Sequence, residues 1–191
     1  FGVFEGSSTN FFSKYVKKIY AFDSFEGLRE DWVGTGEGKG AFNLNKKIPK
    51  LNSNIEPVVG FVQDTLDDFL KKHNPKINFV HLDMDTYPAT IYALERLKPF
   101  FNKDAIIIFD ELYNYPGWKD GEYKALKEVF KDDEYGFCPN LSAITTGEYI
   151  DLEAYCKDDP IKNLHVIMSI LYRKITFSRG DRYAIEEYNP E

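Results

Sequence analysis

Two runs of residues constrain this chain more than any other feature. "INFVHLD" (77–83) and "DAIIIFD" (104–110) are largely apolar, and each ends on an aspartate. A strand with one face in water alternates apolar and polar residues. A near-continuous apolar run instead fits a strand covered on both faces, as in a parallel sheet. "IYAFD" (19–23) and "PVVGFV" (57–62) read as two further strands. Helical patterns fall before, between and after these four. Residues 8–18 carry Phe11, Phe12, Tyr15 and Val16 behind a Ser/Thr cap region. Residues 65–72 carry Leu66, Phe69 and Leu70 behind Asp64 as a candidate N-cap. Residues 87–98 carry Ile91, Leu94 and Leu97, with Pro88 in the first turn, where proline is tolerated. Residues 120–131 carry Leu126, Val129 and Phe130.

Strand, helix and strand thus repeat, which predicts an α/β fold: a Rossmann-like open, mostly parallel sheet with right-handed crossovers and helices on both faces. "EYIDLEAYC" (148–156) and "HVIMSILYRKI" (165–175) are expected to close it as an antiparallel pair. Residues 132–147 and 176–191 carry no assignment. Residues 28–56 form one long connection containing "GTGEGKG", read either as a surface loop or as a lid over a cleft.

The chain has 191 residues, 43% hydrophobic and 29% charged, as expected of one globular domain. The net charge of −7 supplies no basic excess for a nucleic-acid backbone. Two cysteines, Cys138 and Cys156, do not make a disulfide scaffold and fit a reducing cytoplasm. No run reaches the ~20 apolar residues of a membrane helix, and no signal-peptide pattern is present. The chain opens on "FGVFEGSS", the tail of a strand, without an initiator Met. The expectation is a single domain over 1–191 that lacks upstream residues, as a fragment or as part of a longer protein. Homo-oligomerisation stays open.

The chemistry sits at the expected strand ends. In an open α/β fold the first strand-to-helix turn lies where ligands bind. In "FGVFEGSST", Gly2 and Gly6 permit close backbone approach, and Val3, Ser7 and Ser8 complete the candidate contacts. The spacing is neither GxGxxG nor a phosphate loop, and a tight structural turn explains the glycines as well. Asp23, followed by Ser24, ends a strand. An acid there can accept a ribose diol or cap a helix. Taken with the glycine turn, an adenosyl-bearing ligand is favoured. Asp64 is either a helix cap or a neighbour of the adenine. Asp83, Asp85, Asp110 and Glu111 end two strands that neighbour each other about 4.8 Å apart in such a sheet. Four carboxyls in one cleft repel unless a cation intervenes, and hard oxygen donors suit Mg²⁺, Mn²⁺ or Ca²⁺. Helix capping or pairing with Lys and Arg is the alternative. His73, His81 and His165 are scattered, so no zinc cluster is indicated, and His81 is read as a strand residue beside the site.

Six pieces in order, "FGVFEGSST", "AFDSFEGL", "KGAFNL", "FVQDTL", "HLDMDTYPAT" and "FDELYNYPGWKDGEYKAL", resemble the class I S-adenosylmethionine-dependent methyltransferases, macrocin O-methyltransferase-like branch. The resemblance runs from residue 1 to about residue 131. It implies a seven-stranded sheet in the order 3-2-1-4-5-7-6, S-adenosyl-L-methionine over the glycine turn with Asp23 on its ribose, and Mg²⁺ on Asp83, Asp110 and Glu111. Related metal-dependent enzymes often carry Asp or Asn at the last position; Glu111 is one carbon longer. It also implies O-methylation of a hydroxylated small molecule, a sugar or glycoside. Asp83 and Asp85 are then the catalytic candidates, with Asp85 as the base. Tyr113, Asn114 and Trp118 are candidate acceptor contacts, or simply an aromatic turn. The competing expectations are a phenolic or N-nucleophile acceptor, and a non-catalytic cofactor-binding module of a larger carbohydrate-processing protein.

Overall fold

The computed structural model describes residues 1–112, 115–137 and 164–168. β1 (Ile19–Asp23) pairs in parallel with β2 (Ile55–Val59). β3 (Ile77–Leu82), β4 (Phe101–Phe109), β5 (Gly136–Phe137) and β6 (Leu164–Met168) form a second sheet in the order β3-β4-β6-β5, with every pairing parallel. The first residues stitch the two sheets together. Gly2 N–H donates to the Phe22 carbonyl at 3.0 Å, and Asp83 N–H donates to the Phe1 carbonyl at 3.0 Å. The result is a parallel α/β architecture, as expected. The expected closing pair falls largely on residues outside those described. Residues 164–168 run parallel to both neighbours, and residues 148–156 lie outside the described residues.

The helices pack as the strand alternation dictates. Successive side chains of a strand point to opposite faces. On β3, Val80 and Leu82 join one core with Leu66 and Leu70 of α2 (Val62–His73), Leu94 and Leu97 of α3 (Tyr87–Leu97) and Leu126 of α4 (Glu122–Val129). Phe79 and His81 face the other way, against Phe12 of α1 (Ser7–Phe12), at ring distances of 5.3 and 5.0 Å. Leu66, Leu82, Leu94, Ile107 and Leu126 are completely buried. Each contributes roughly 1.5–3 kcal/mol of hydrophobic stabilisation.

Three of the boundaries that depart from expectation do so for a visible physical reason. α1 stops at Phe12 rather than 18. The carbonyls a longer helix would use are taken by distant side chains: Asn52 Nδ2 donates to the Asn10 carbonyl, and Asn54 Nδ2 donates to those of Ser13 and Val16. α2 starts at Val62, so Asp64 sits in its first turn, favourably placed for the helix dipole, and is not the N-cap. β2 starts earlier than expected and contains Pro57, which is tolerated because β2 has β1 as its one partner among the described strands.

Residues 24–54 contain no helix or strand, yet they are tied down. Trp32 is buried and meets Tyr115 edge to face at 5.7 Å. Gly34, at φ +84°, lies so close to the turn at Pro116 that an added Cβ would fall 1.7 Å from the Pro116 carbonyl oxygen. Gly34→Ala is therefore expected to cost at least about 1 kcal/mol and to detach the loop from that turn. Gly36→Ala, where a Cβ meets nothing within 4 Å, is the control. Thermal melting and limited proteolysis within residues 24–54 measure the contrast; equal behaviour of the two variants refutes the docking.

Candidate functional site

A cleft of about 570 Å³ opens at the C-terminal ends of β1, β3 and β4, the end of a parallel sheet where ligands bind. One side begins with the turn after Phe1. Gly2 adopts φ +74°, and a Cβ there would fall 1.6 Å from the Asp83 carbonyl oxygen. The glycine is thus required by the contact with the end of β3, whatever ligand approaches. Gly6, at φ +81°, is backed by Leu51 and precedes Ser7 and Ser8 at the start of α1. Gly2, Val3, Ser7 and Ser8 line the cleft; Gly6 does not.

Asp23 organises this side. Its Oδ2 accepts the N–H groups of Val3 and Phe4 at 2.7 and 2.8 Å, and its Oδ1 accepts that of Phe25 at 2.6 Å. The bond to Phe25 closes an Asx turn, and no helix follows, so the helix-cap reading of Asp23 is replaced by a turn clamp. A carboxylate has about four acceptor positions. Three are taken by amides, which leaves one open toward the cleft. Ser24 lines the cleft and accepts the Glu26 N–H at 3.0 Å.

The long connection forms another wall through Leu28, Arg29, Glu30, Glu37 and Phe42. Arg29 lies over the Phe61 ring at 4.3 Å and pairs with Asp64 at 2.6 Å. Asp64 itself lies outside the cleft lining and anchors the loop to α2. The Thr86 hydroxyl donates to Glu30 at 2.9 Å, a second anchor at the start of α3. Tyr113 and Asn114 lie outside the described residues, and Trp118 packs edge-on against Tyr123 at 4.8 Å, away from the cleft lining.

The acids gather on the far side. Asp83, Asp85, Asp110 and Glu111 all line the cleft, and they divide into two overlapping groups. Ligand atoms of Asp83, Asp85 and Glu111 lie within 4.8 Å of one another, as do those of His81, Asp83 and Asp110. Asp83 belongs to both. His81 Nε2 and Asp110 Oδ1 are 3.4 Å apart. Asp85 is held in the left-handed region at φ 63° with its side chain buried, a strained conformation of the kind that collects at functional sites. Glu111 is 4% exposed, and its Oε2 has no hydrogen-bond partner.

Burial and mutual repulsion shape the protonation of this group. Burial, then the Asp110 charge, pushes Asp85 up to about 7. Burial, then neighbouring carboxylates, holds Asp83 and Glu111 well above the usual carboxylate range. Burial also lowers His81, against the opposing pull of Asp110. Hard oxygen donors, a buried Glu111 oxygen without a hydrogen-bond partner and a lining whose one basic side chain among the described residues, Arg29, is engaged with Asp64 together fit a divalent cation.

One acid of this group carries no site signal in the sequence. Glu122 is completely buried, and its Oε2 accepts the Glu111 N–H at 3.2 Å. Burial, then Asp85, holds it well above the usual range as well. In "KDGEYKAL" it reads as an ordinary acid in a first helical turn.

The family model described as "Methyltransferase domain" matches residues 1–112, more than half of the 191-residue chain. That span contains the Gly2 turn, Asp23 and the four acids of the cleft. Among solved structures, the crystal structure of CalS11, a calicheamicin methyltransferase, aligns with 24% identity and a TM-score of 0.57, over 67% of this chain and 61% of that one. The apo structure of CalS11, described as a TDP-rhamnose 3'-O-methyltransferase of calicheamicin biosynthesis, aligns with 23% identity and a TM-score of 0.48, over 67% of this chain and 59% of that one. The chain thus spans about three fifths of the length of the structures it matches. A comparison with curated proteins found no match. By the extent of the family match, the chain belongs to the methyltransferase-domain family, which implies S-adenosylmethionine as its cofactor.

Proposed function

We propose that this chain carries an S-adenosylmethionine-dependent O-methyltransferase activity toward a hydroxyl of a small molecule, a sugar or glycoside, with assistance from a divalent cation such as Mg²⁺. The observation that carries the reading is the division of one cleft. A glycine turn clamped by Asp23 forms one side, and four converging acids form the other. The sugar acceptor is suggested by the fold shared with CalS11, whose own description names a sugar substrate. The reading places the activity in a single domain with the strand order 3-2-1-4-5-7-6. The described orders β1-β2 and β3-β4-β6-β5, with Phe1 and Gly2 between β1 and β3, support it.

Methyl transfer is a displacement in line. With S-adenosylmethionine bound, its sulfonium would supply the methyl to the acceptor oxygen and leave as a neutral thioether, and the hydroxyl proton would have to pass to a base. S-adenosylmethionine supplies the electrophilic methyl, and a divalent cation supplies charge that lowers a hydroxyl pKa and orients it. The protein supplies the rest. Asp23 offers one acceptor position to a ribose hydroxyl and fixes the Val3–Phe4 amides beside it. Asp83, which belongs to both groups of acids, would hold the cation together with Asp110 from one group and Glu111 from the other. Asp85, buried beside these acids, would take the proton. The loop from Leu28 to Phe42 forms one wall of the cleft.

Purified protein is expected to transfer methyl from S-adenosylmethionine to glycoside acceptors and to lose that activity in EDTA. Asp110→Asn is expected to keep S-adenosylmethionine affinity, measured by calorimetry, within about two-fold while turnover falls by roughly 10²-fold or more. Activity indifferent to EDTA removes the cation from the reading; failure to bind S-adenosylmethionine or its demethylated product removes the methyltransferase.

The acids also set a pH signature. An unfolded aspartate titrates near 3.8 and folded Asp85 near about 7, so the folded state holds the proton more tightly. The stability this confers is full below the unfolded value and is lost as pH rises through the folded one. Asp83, Glu111 and Glu122 act in the same direction. Above pH 6.5, the ordinary value for His81, that imidazole is mostly neutral in both states and contributes little. Thermal melting in EDTA is therefore expected to show the midpoint falling from pH 6.5 to 8, with Mg²⁺ restoring it most at pH 8. A midpoint that rises over that interval contradicts the buried cluster.

A further inference from the structure

Glu122 bridges three elements with one carboxyl. It occupies the first position of α4 and is completely buried. Its Oε2 accepts the backbone N–H of Glu111, in the turn after β4, at 3.2 Å. Its Oε1 accepts the hydroxyl of Thr90 at 3.4 Å, and Thr90 is itself completely buried on α3. A first-turn acid that served only the helix dipole would stand in solvent, where that effect is obtained without desolvation. This one reaches inward to a single peptide group. The direction of that peptide sets where the Glu111 Cα–Cβ bond points, and hence where its carboxylate lies. The Glu111 carboxylate falls with Asp83 and Asp85, while Asp110 falls with Asp83 and His81, and Glu111 Oε2 is buried without a hydrogen-bond partner.

We propose that Glu122 is the positioning residue of the cation site: through the Glu111 N–H it aims the Glu111 carboxylate at Asp83 and Asp85, and Thr90 keeps it in that orientation. The inference rests on the cation reading above. What matters in it is the acceptor oxygen, not the charge. Outer partners of this kind typically change metal affinity by 10- to 100-fold when lost.

The test measures Mn²⁺ binding by electron paramagnetic resonance on the metal-free protein, so it needs no acceptor and no turnover. Glu122→Met keeps the length and removes the acceptor; Mn²⁺ affinity is expected to fall about 10-fold or more, with S-adenosylmethionine affinity unchanged. Glu122→Gln is expected to restore Mn²⁺ affinity to within about three-fold, because its carbonyl can accept the Glu111 N–H while its amide meets the Thr90 oxygen. Thr90→Val releases Glu122 without touching a cation ligand and keeps the test alive if Glu122→Met fails to fold; it is expected to weaken Mn²⁺ binding in the same direction. Wild-type protein that binds Mn²⁺ no better than folded Glu122→Met or Thr90→Val overturns the positioning role and leaves the cation reading intact. Wild-type protein that binds no Mn²⁺ overturns both.

Discussion

The parallel register of β3 against β4 is the constraint on which the site depends. Leu82 pairs with Phe109, so the next residues, Asp83 and Asp110, leave the sheet side by side. The Asp110 N–H donates to the Leu82 carbonyl at 2.9 Å, which carries the ladder one step beyond the assigned strand. A slip of one residue would turn every side chain of β4 to the opposite face. A slip that advanced β4 would bring Asp110 to the position where Phe109 is now completely buried with Leu82. The hydrophobic core therefore sets the register, and the register sets the distance between carboxyls. The repulsion stored in the site is held by apolar packing a few residues away.

That dependence explains how much was legible in the sequence. "IYAFD" reads as a strand with the bounds it has, and the two apolar runs reveal the parallel sheet, because strand periodicity is local. The convergence of Asp83, Asp85, Asp110 and Glu111 follows from strand adjacency and was equally readable. What escaped depends on partners far along the chain. The end of α1 is decided by Asn52 and Asn54. Asp64 becomes a partner of Arg29, and Asp23 a receiver of three amides, once the loop and the first turn are in place. Glu122 was invisible because nothing in "KDGEYKAL" distinguishes an inward acid from an outward one. The division of the acids into two groups sharing Asp83 is likewise a fact of side-chain direction that spacing does not encode.

The two sides of the cleft solve different problems. Around Asp23 the backbone turns inward and satisfies a carboxylate with amides, leaving one acceptor position open. Around Asp83 the carboxyls face each other, and a buried Glu111 oxygen stays unsatisfied. A carboxylate already satisfied by amides can recognise a partner by shape, whereas facing carboxyls act through charge, and the two arrangements share one cleft.

The contact of Gly34 with the turn at Pro116 carries a consequence for exchange between relatives. Backbone meets backbone there, with no side chain to absorb a change in length or path. Residues 24–54 and 115–117 are encoded far apart but behave as one replaceable part. A chimera that imports the loop from another methyltransferase without its matching turn inherits a collision, and one that imports both moves a complete wall of the cleft.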